Sequence, residues 1–294
     1  MGSKGTVCVT GAGGYVASWL VKLLLSNNYT VHATLRNPED AKNKHLKKLE
    51  ESSDRLKLFK ADLLNYDSIL MAVQGCNGVF HVASPVPSSS VPNPEVELVE
   101  PAVKGTLNVL KACLEAGVDR VVYVSSGAAI ALNPSWPSGK VKDETCWSDK
   151  EYCRTTNNWY CFSKTEAELE AWEFAKKNGI NLVTLLKEKI EQLENKMRLV
   201  VDVRDVAESL LMVYEKPEAE GRYICTAHTV STQDLVEMLK RFYPEHEYPK
   251  SFTAAAAGEK HSSEKLQTLG WSFRPLEETI ADSIESYKQA GLLD

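Results

Sequence analysis

No stretch of the 294-residue chain approaches the roughly 20 consecutive apolar residues that a membrane-crossing helix needs. No block of lysine and arginine stands out and the formal net charge is −6, so neither a membrane nor a nucleic acid is an expected partner. The opening MGSKGTVCVTGAGG lacks the apolar core of a secretory signal. Cysteines are scattered and odd in number, seven in all, which suits a reduced cytoplasmic chain better than a disulfide framework. No internal repeat is evident, and the four alanines at 254–257 are the only biased spot.

What is present is an ordinary globular balance, 43% hydrophobic and 25% charged, long enough to bury a large core without staples. Strand-like runs alternate with helical patterns. TVCVT (6–10) precedes a helical stretch over 14–27, and TVHATL (30–35) precedes a charged stretch over 39–52. LKLFKADL (56–63) leads to YDSILMAV (66–73), GVFHVAS (78–84) to a helical pattern over 94–116, and RVVYVSS (120–126) to a loop and a helix ending near 177. INLVTL (180–185) closes the series. These six runs are nearly continuous in Val, Leu and Ile, as strands buried on both faces are. The expected fold is therefore α/β, a doubly wound parallel sheet.

The first strand runs into Thr10-Gly11-Ala12-Gly13-Gly14-Tyr15-Val16-Ala17. Gly11 and Gly14 suit a chain that turns tightly and lets backbone approach a pyrophosphate, and the following helix would aim its N–H groups at those phosphates. Ala17 takes the third small position, where helix packs on strand. An acidic residue is missing where the second strand ends; Arg36 stands there, with Lys42 soon after. An Asp or Glu would hold the ribose 2′-OH of NAD, whereas a guanidinium suits the 2′-phosphate of NADP, so NADP is the expected cofactor. The fifth strand ends in Ser125-Ser126, at the strand ends that face the ligand crevice, and there a serine either caps a loop or bonds a substrate carbonyl. Tyr160 and Lys164 are four residues apart and share one helix face. The pair alone fits either an ordinary amphipathic helix or a phenol held beside an ammonium.

Together these motifs resemble the extended short-chain dehydrogenase/reductases: the TGxxGxxA loop from Thr10 to Ala17, a serine ending strand five, and Tyr-x-x-x-Lys at 160–164. DETCWSDKEYCRTTNNWYCFSK (143–164) is similar to the plant cinnamoyl-CoA reductase and cinnamoyl-CoA-reductase-like group, relatives of dihydroflavonol reductase. The likeness covers 5–184 and resumes at 198. It implies a Rossmann core with Tyr160 as proton donor, Lys164 binding the nicotinamide ribose and easing the phenol's loss of its proton, and Ser126 orienting the carbonyl. It also implies that Gly11, Gly14, Tyr15 and Val16 touch the pyrophosphate, and that Arg36 and Lys42 take the 2′-phosphate. Asp62 and Leu63 would flank the adenine, and Val82, Ala83 and Ser84 the nicotinamide. The implied substrate is a small phenylpropanoid-type aromatic carbonyl, either a CoA thioester or an aldehyde or ketone; the chain reads NWYCFSK where cinnamoyl-CoA reductases typically read NWYCYGK. Cys153 and Cys161 match a cysteine pair of that group, as a redox-sensitive disulfide or as two partly buried thiols. A monomer or weak dimer is expected.

Residues 185–197, LLKEKIEQLENKM, contain neither proline nor glycine, although the family's sixth strand usually leads into a Pro/Gly turn that walls the pocket. Leu186, Ile190, Leu193 and Met197 recur at helical spacing, so a short amphipathic helix is expected. The expected division is a dinucleotide-binding core over 1–184, this shortened segment over 185–197, and over 198–294 the remaining core elements with a smaller C-terminal substrate lobe. The short segment also implies impaired turnover.

Overall fold

The computed structural model describes residues 2–51, 54–84, 91–187, 197–249, 252, 260–289, 291 and 293. Its centre is a seven-stranded sheet in the order β3-β2-β1-β4-β5-β6-β8, with every neighbouring pair parallel. The strands are β1 (Thr6–Val9), β2 (Thr30–Leu35), β3 (Leu56–Lys60), β4 (Gly78–His81), β5 (Arg120–Ser126), β6 (Leu182–Lys187) and β8 (Gly221–Cys225). A separate antiparallel pair joins β7 (Met197–Val200) to β9 (His228–Ser231). The strand order reverses between β1 and β4, and in open α/β sheets that switch point opens a crevice at the carboxyl ends of the strands.

Helices cover both faces. On one, α1 (Tyr15–Ser26), α2 (Lys44–Glu51) and α8 (Val203–Glu215) contribute Leu20, Leu24, Leu46 and Leu210 to a core shared with Val9, Val122 and Leu185. On the other, α3 (Tyr66–Val73), α4 (Glu100–Glu115) and α7 (Trp159–Asn178) pack Ile69, Leu110 and Ala171 against Val79, Val121 and Tyr123. Side chains two apart on a strand share a face, so Val122 and Val124 serve the first core while Val121 and Tyr123 serve the second. All seven residues of β5 are buried. The short α5 (Ala128–Ala131) and α6 (Lys150–Thr155) lie between β5 and α7, while α9 (Thr232–Phe242), α10 (Glu264–Thr268) and α11 (Leu276–Gln289) complete the chain. Among the described residues, no helix is long and apolar enough to cross a membrane.

Two expectations need correction. The sequence reading stopped at six strands, but β8 adds a seventh beside β6. The helix expected from residue 185 does not start there: Leu185, Leu186 and Lys187 finish β6, and Met197 opens β7. Leu185 and Leu186 are both fully buried, paired with Val124 and Ser125 on one side and with Tyr223 and Ile224 on the other. Adjacent leucines in a central strand face opposite cores, and that pairing overrides the helical spacing of Leu186 and Met197. Residues 188–196 lie outside the described residues.

Candidate active site at the switch point

The loop after β1 and the loop after β4 meet across the reversal of strand order. Gly11 has φ +68°, and a Cβ added to it would lie 2.8 Å from the Cβ of Ala83. Only glycine combines that left-handed backbone with so close an approach. Thr10 joins the same two loops. Its Oγ1 accepts the N–H groups of Val82 at 3.1 Å and Ala83 at 3.0 Å and lies 2.9 Å from Nδ1 of His81. His81 is buried, stacked on Tyr123 at 5.3 Å, with Nε2 3.4 Å from Oγ1 of Thr106. Burial pulls its pKa down to about 3, and the Lys164 ammonium adds to the effect, so the ring is neutral.

Gly14 is the N-cap of α1; no side chain caps this helix and no acidic residue lies in its first turn. The first-turn N–H groups and the positive end of the helix dipole are thus available to an anion. Tyr15, the first residue of α1, is 71% exposed, while Val16 packs on the core. Arg36 follows β2 directly and is exposed. Lys42 belongs to a single 3-10 turn, Ala41–Asn43, capped by Asp40, and its Nζ lies 3.1 Å from the Asp40 carboxylate. Sequence reasoning missed Asn43, which is buried and gives its Nδ2–H to the Asn37 carbonyl at 2.8 Å. A Cβ on Gly13 would collide with Asn43 Oδ1. The segment bearing Arg36 and Lys42 is therefore seated against the glycine loop.

Asp62 and Leu63 follow β3. The Asp62 carboxylate takes the Leu64 N–H at 2.8 Å, and Leu63 lies on α4, its carbonyl bonded by Asn108 at 2.8 Å. Leu63 fits because a Cβ on Gly105 would already be 3.0 Å from its own.

A twenty-residue helix, α7, brings Tyr160 and Lys164 to the crevice. It ends at Gly179 in the left-handed conformation after Lys176 and Lys177, a common helix stop. Tyr160 is half-buried in the first turn; Lys164 is buried, donates from Nζ to Ser84 Oγ, and lies 5.5 Å from the centroid of the Tyr160 ring. Ser126 ends β5, buried, with Oγ accepting the Ala128 N–H at 3.2 Å. The carboxyl ends of β1, β4 and β5 thus converge with α7, joining Gly11 to Ala83 and Ser84 to Lys164. Arg36, Lys42, Asp62 and Leu63 occupy the loops after β2 and β3, farther along the same sheet edge. A phenol, an ammonium and a hydroxyl at the mouth of an anion-binding loop can bind a dinucleotide and pass a proton to an oxygen.

Cys153 and Cys161 sit in one small apolar cluster with Val99 and Phe162, and no disulfide joins them in this structure. Burial pushes the Cys153 thiol up, the opposite of an activated thiolate.

Residues 7–191 match the NAD dependent epimerase/dehydratase family. The chain is 42% identical over 315 residues to cinnamoyl-CoA reductase 1 of Petunia hybrida, covering 98% of this chain and 93% of the relative. That match spans more positions than the chain has residues, so the relative carries residues with no counterpart here. Among solved structures, vestitone reductase from alfalfa (Medicago sativa) matches with a TM-score of 0.85 and 33% identity, over 99% of this chain and 100% of that one. Yeast methylglyoxal/isovaleraldehyde reductase complexed with NADPH also matches with a TM-score of 0.85, at 25% identity over 98% and 100% of the two chains.

Proposed function

Because the chain belongs to the NAD dependent epimerase/dehydratase family, we propose that it is an NADPH-dependent reductase of a phenylpropanoid-type aromatic carbonyl: a hydroxycinnamoyl-CoA thioester, an aldehyde or a ketone. The observation that carries this reading is Lys164, buried beside the Tyr160 ring and anchored on Ser84 at the end of β4. The named relatives support it. One is a cinnamoyl-CoA reductase, one a vestitone reductase, and one a reductase in complex with NADPH.

The residues present fit the dinucleotide. The uncapped start of α1 and the close Gly11–Ala83 approach suit its pyrophosphate. Arg36 and Lys42 would take the 2′-phosphate, Asp62 and Leu63 the adenine side, and Val82, Ala83 and Ser84 the nicotinamide side. When bound, the cofactor supplies hydride to the carbonyl carbon. Tyr160 gives its proton to the carbonyl oxygen, and the Lys164 ammonium beside it favours that loss. Ser126 donates a hydrogen bond to the same oxygen and polarises it. His81, neutral at ordinary pH, adds no charge to compete with Lys164.

Steady-state turnover with NADPH against cinnamaldehydes, hydroxycinnamoyl-CoA thioesters and dihydroflavonols tests this reading. Turnover of one class fixes the substrate; none with any class leaves a second reading, a dinucleotide-binding protein of impaired turnover. That reading is favoured by the 315 aligned positions, which exceed this chain's own length.

A further inference from the structure

Glu168 lies one turn beyond Lys164 on α7 and is fully buried. A buried carboxylate must be paired or it becomes the neutral acid. Its Oε2 accepts from Ser125 Oγ at 2.6 Å, and its Oε1 accepts from Nε of Arg222 at 2.7 Å. Arg222, on β8, is buried too. Its Nη1 donates to the carbonyls of Glu144 and Cys146, each at 2.7 Å, and its guanidinium lies 3.6 Å from the Trp147 ring centroid. The Ile224 N–H returns to the Glu144 carboxylate at 3.1 Å. One guanidinium thereby ties together β8, α7 and the loop 144–147, and Ser125 adds β5 at the residue before Ser126.

A buried ion pair of this kind is weak evidence for stability, because the cost of removing both charges from water offsets their attraction. Its geometry is informative in another way. Beyond Lys164 the buried apolar residues of α7 are all small, Ala167, Ala171 and Ala175, while its large Trp172 and Phe174 are only partly buried against the second core. Small contacts set the rotation of a helix about its axis poorly. Tyr160, Lys164 and Glu168 recur every four residues on one stripe, so whatever holds Glu168 also sets the direction of the other two. A planar guanidinium held by three acceptor groups and an aromatic face is a rigid reference point.

We infer that Glu168 and Arg222 are positioning residues. Their pairing sets the rotation of α7 and thereby aims the Lys164 ammonium and the Tyr160 phenol at the nicotinamide end of the site. The inference rests on the reading of that site as a dinucleotide reductase.

The experiment compares binding of NADPH with binding of adenosine 2′,5′-bisphosphate, which carries the adenine half alone. It uses the full chain as wild type, Lys164→Met, Arg222→Lys, Arg222→Met and the double variant Glu168→Gln/Arg222→Met. The wild type should prefer NADPH, and Lys164→Met should cut that preference about tenfold by removing one charge-assisted contact. Arg222→Met should cut it similarly while affinity for the bisphosphate stays within about twofold of wild type, and Arg222→Lys should restore part of it. The double variant leaves no unpaired buried charge and should behave as Arg222→Met does, so the comparison stands even where the single variant fails to fold. An unchanged preference in the folded variants overturns the inference. So does an equal weakening of both ligands, which a merely structural role would give. A wild type without the preference, or one whose preference survives Lys164→Met, marks failure of the site reading itself, and the positioning pair falls with it.

Discussion

Gly11 and Ala83 stand so close that one added methyl on the glycine would lie 2.8 Å from the alanine's Cβ. Since Gly11 also has φ +68°, Gly11→Ala meets a backbone penalty and a steric one together. The variant is expected to lose about 2–4 kcal/mol of stability in urea unfolding and to bind NADPH weakly. Wild-type values for both would mean the two loops can part without consequence.

Arg36→Ala should weaken NADPH binding by about 1.5–3 kcal/mol, the worth of one hydrogen bond to a charged group, with NADH affinity little changed. Lys42 is already engaged with Asp40, so Lys42→Ala should cost less than Arg36→Ala. Calorimetric titration of both cofactors decides it. Equal NADPH affinity in wild type and Arg36→Ala removes the assignment of the 2′-phosphate.

Tyr160→Phe keeps the ring and loses the proton donor. Reduction should fall below detection in a standard assay while NADPH still binds within about threefold of wild type. Near wild-type turnover in this variant would return Tyr160 to a packing role.

His81 gives a pH signature. Its folded pKa is about 3, against about 6.5 unfolded, so below pH 6.5 the unfolded chain takes up a proton that the folded one refuses. The stability this contributes is fully present above pH 6.5 and is lost as the pH falls toward 3, at about 1.4 kcal/mol per pH unit. His81→Gln cannot titrate and lacks that slope. Its unfolding free energy, compared with wild type at about pH 7 and about pH 5, should lie closer to wild type at the lower pH. A gap independent of pH would mean the imidazole is free to protonate.

Reinstating a relative's full-length segment between Thr184 and Arg198 should raise the reduction rate. A misplacement of about 1 Å at a reacting centre can cost about 100-fold, and residues 185–197 contain neither the proline nor the glycine of the family's usual turn. A chain that matches its full-length relatives in turnover without the insertion would show the segment to be dispensable.

The sheet was largely legible in the sequence. β1, β2, β4 and β5 are largely apolar runs buried on both faces, and across the sheet, in the order β2, β1, β4, β5, their carboxyl ends lead to Arg36, Thr10, Ser84 and Ser126. What escaped reading depends on partners distant in sequence. Thr10 meets His81 across 71 positions, and Glu168 meets Arg222 across 54. A signal existed: His81 interrupts GVFHVAS and Arg222 interrupts GRYIC, and a polar group in a run bound for the interior must find a mate. The sequence names the group in need without naming the mate. The end of β6 was misread because two adjacent leucines serve a two-sided strand as well as they serve a helix face.

Hydroxyl chemistry gives the buried Thr10–His81–Thr106 line a polarity. The Thr10 oxygen already receives two N–H groups, from Val82 and Ala83, so its single proton is left to point at Nδ1 of His81. The imidazole must then carry its own hydrogen on Nε2, facing Thr106, whose hydroxyl passes its proton on to the Ala102 carbonyl at 2.8 Å. The ring is locked in one tautomer, and every dipole along the line points the same way, from the glycine loop into the start of α4. Reversing any one of them would set two donors face to face, so the line ties the loops after β1 and β4 to the start of α4 in one direction only.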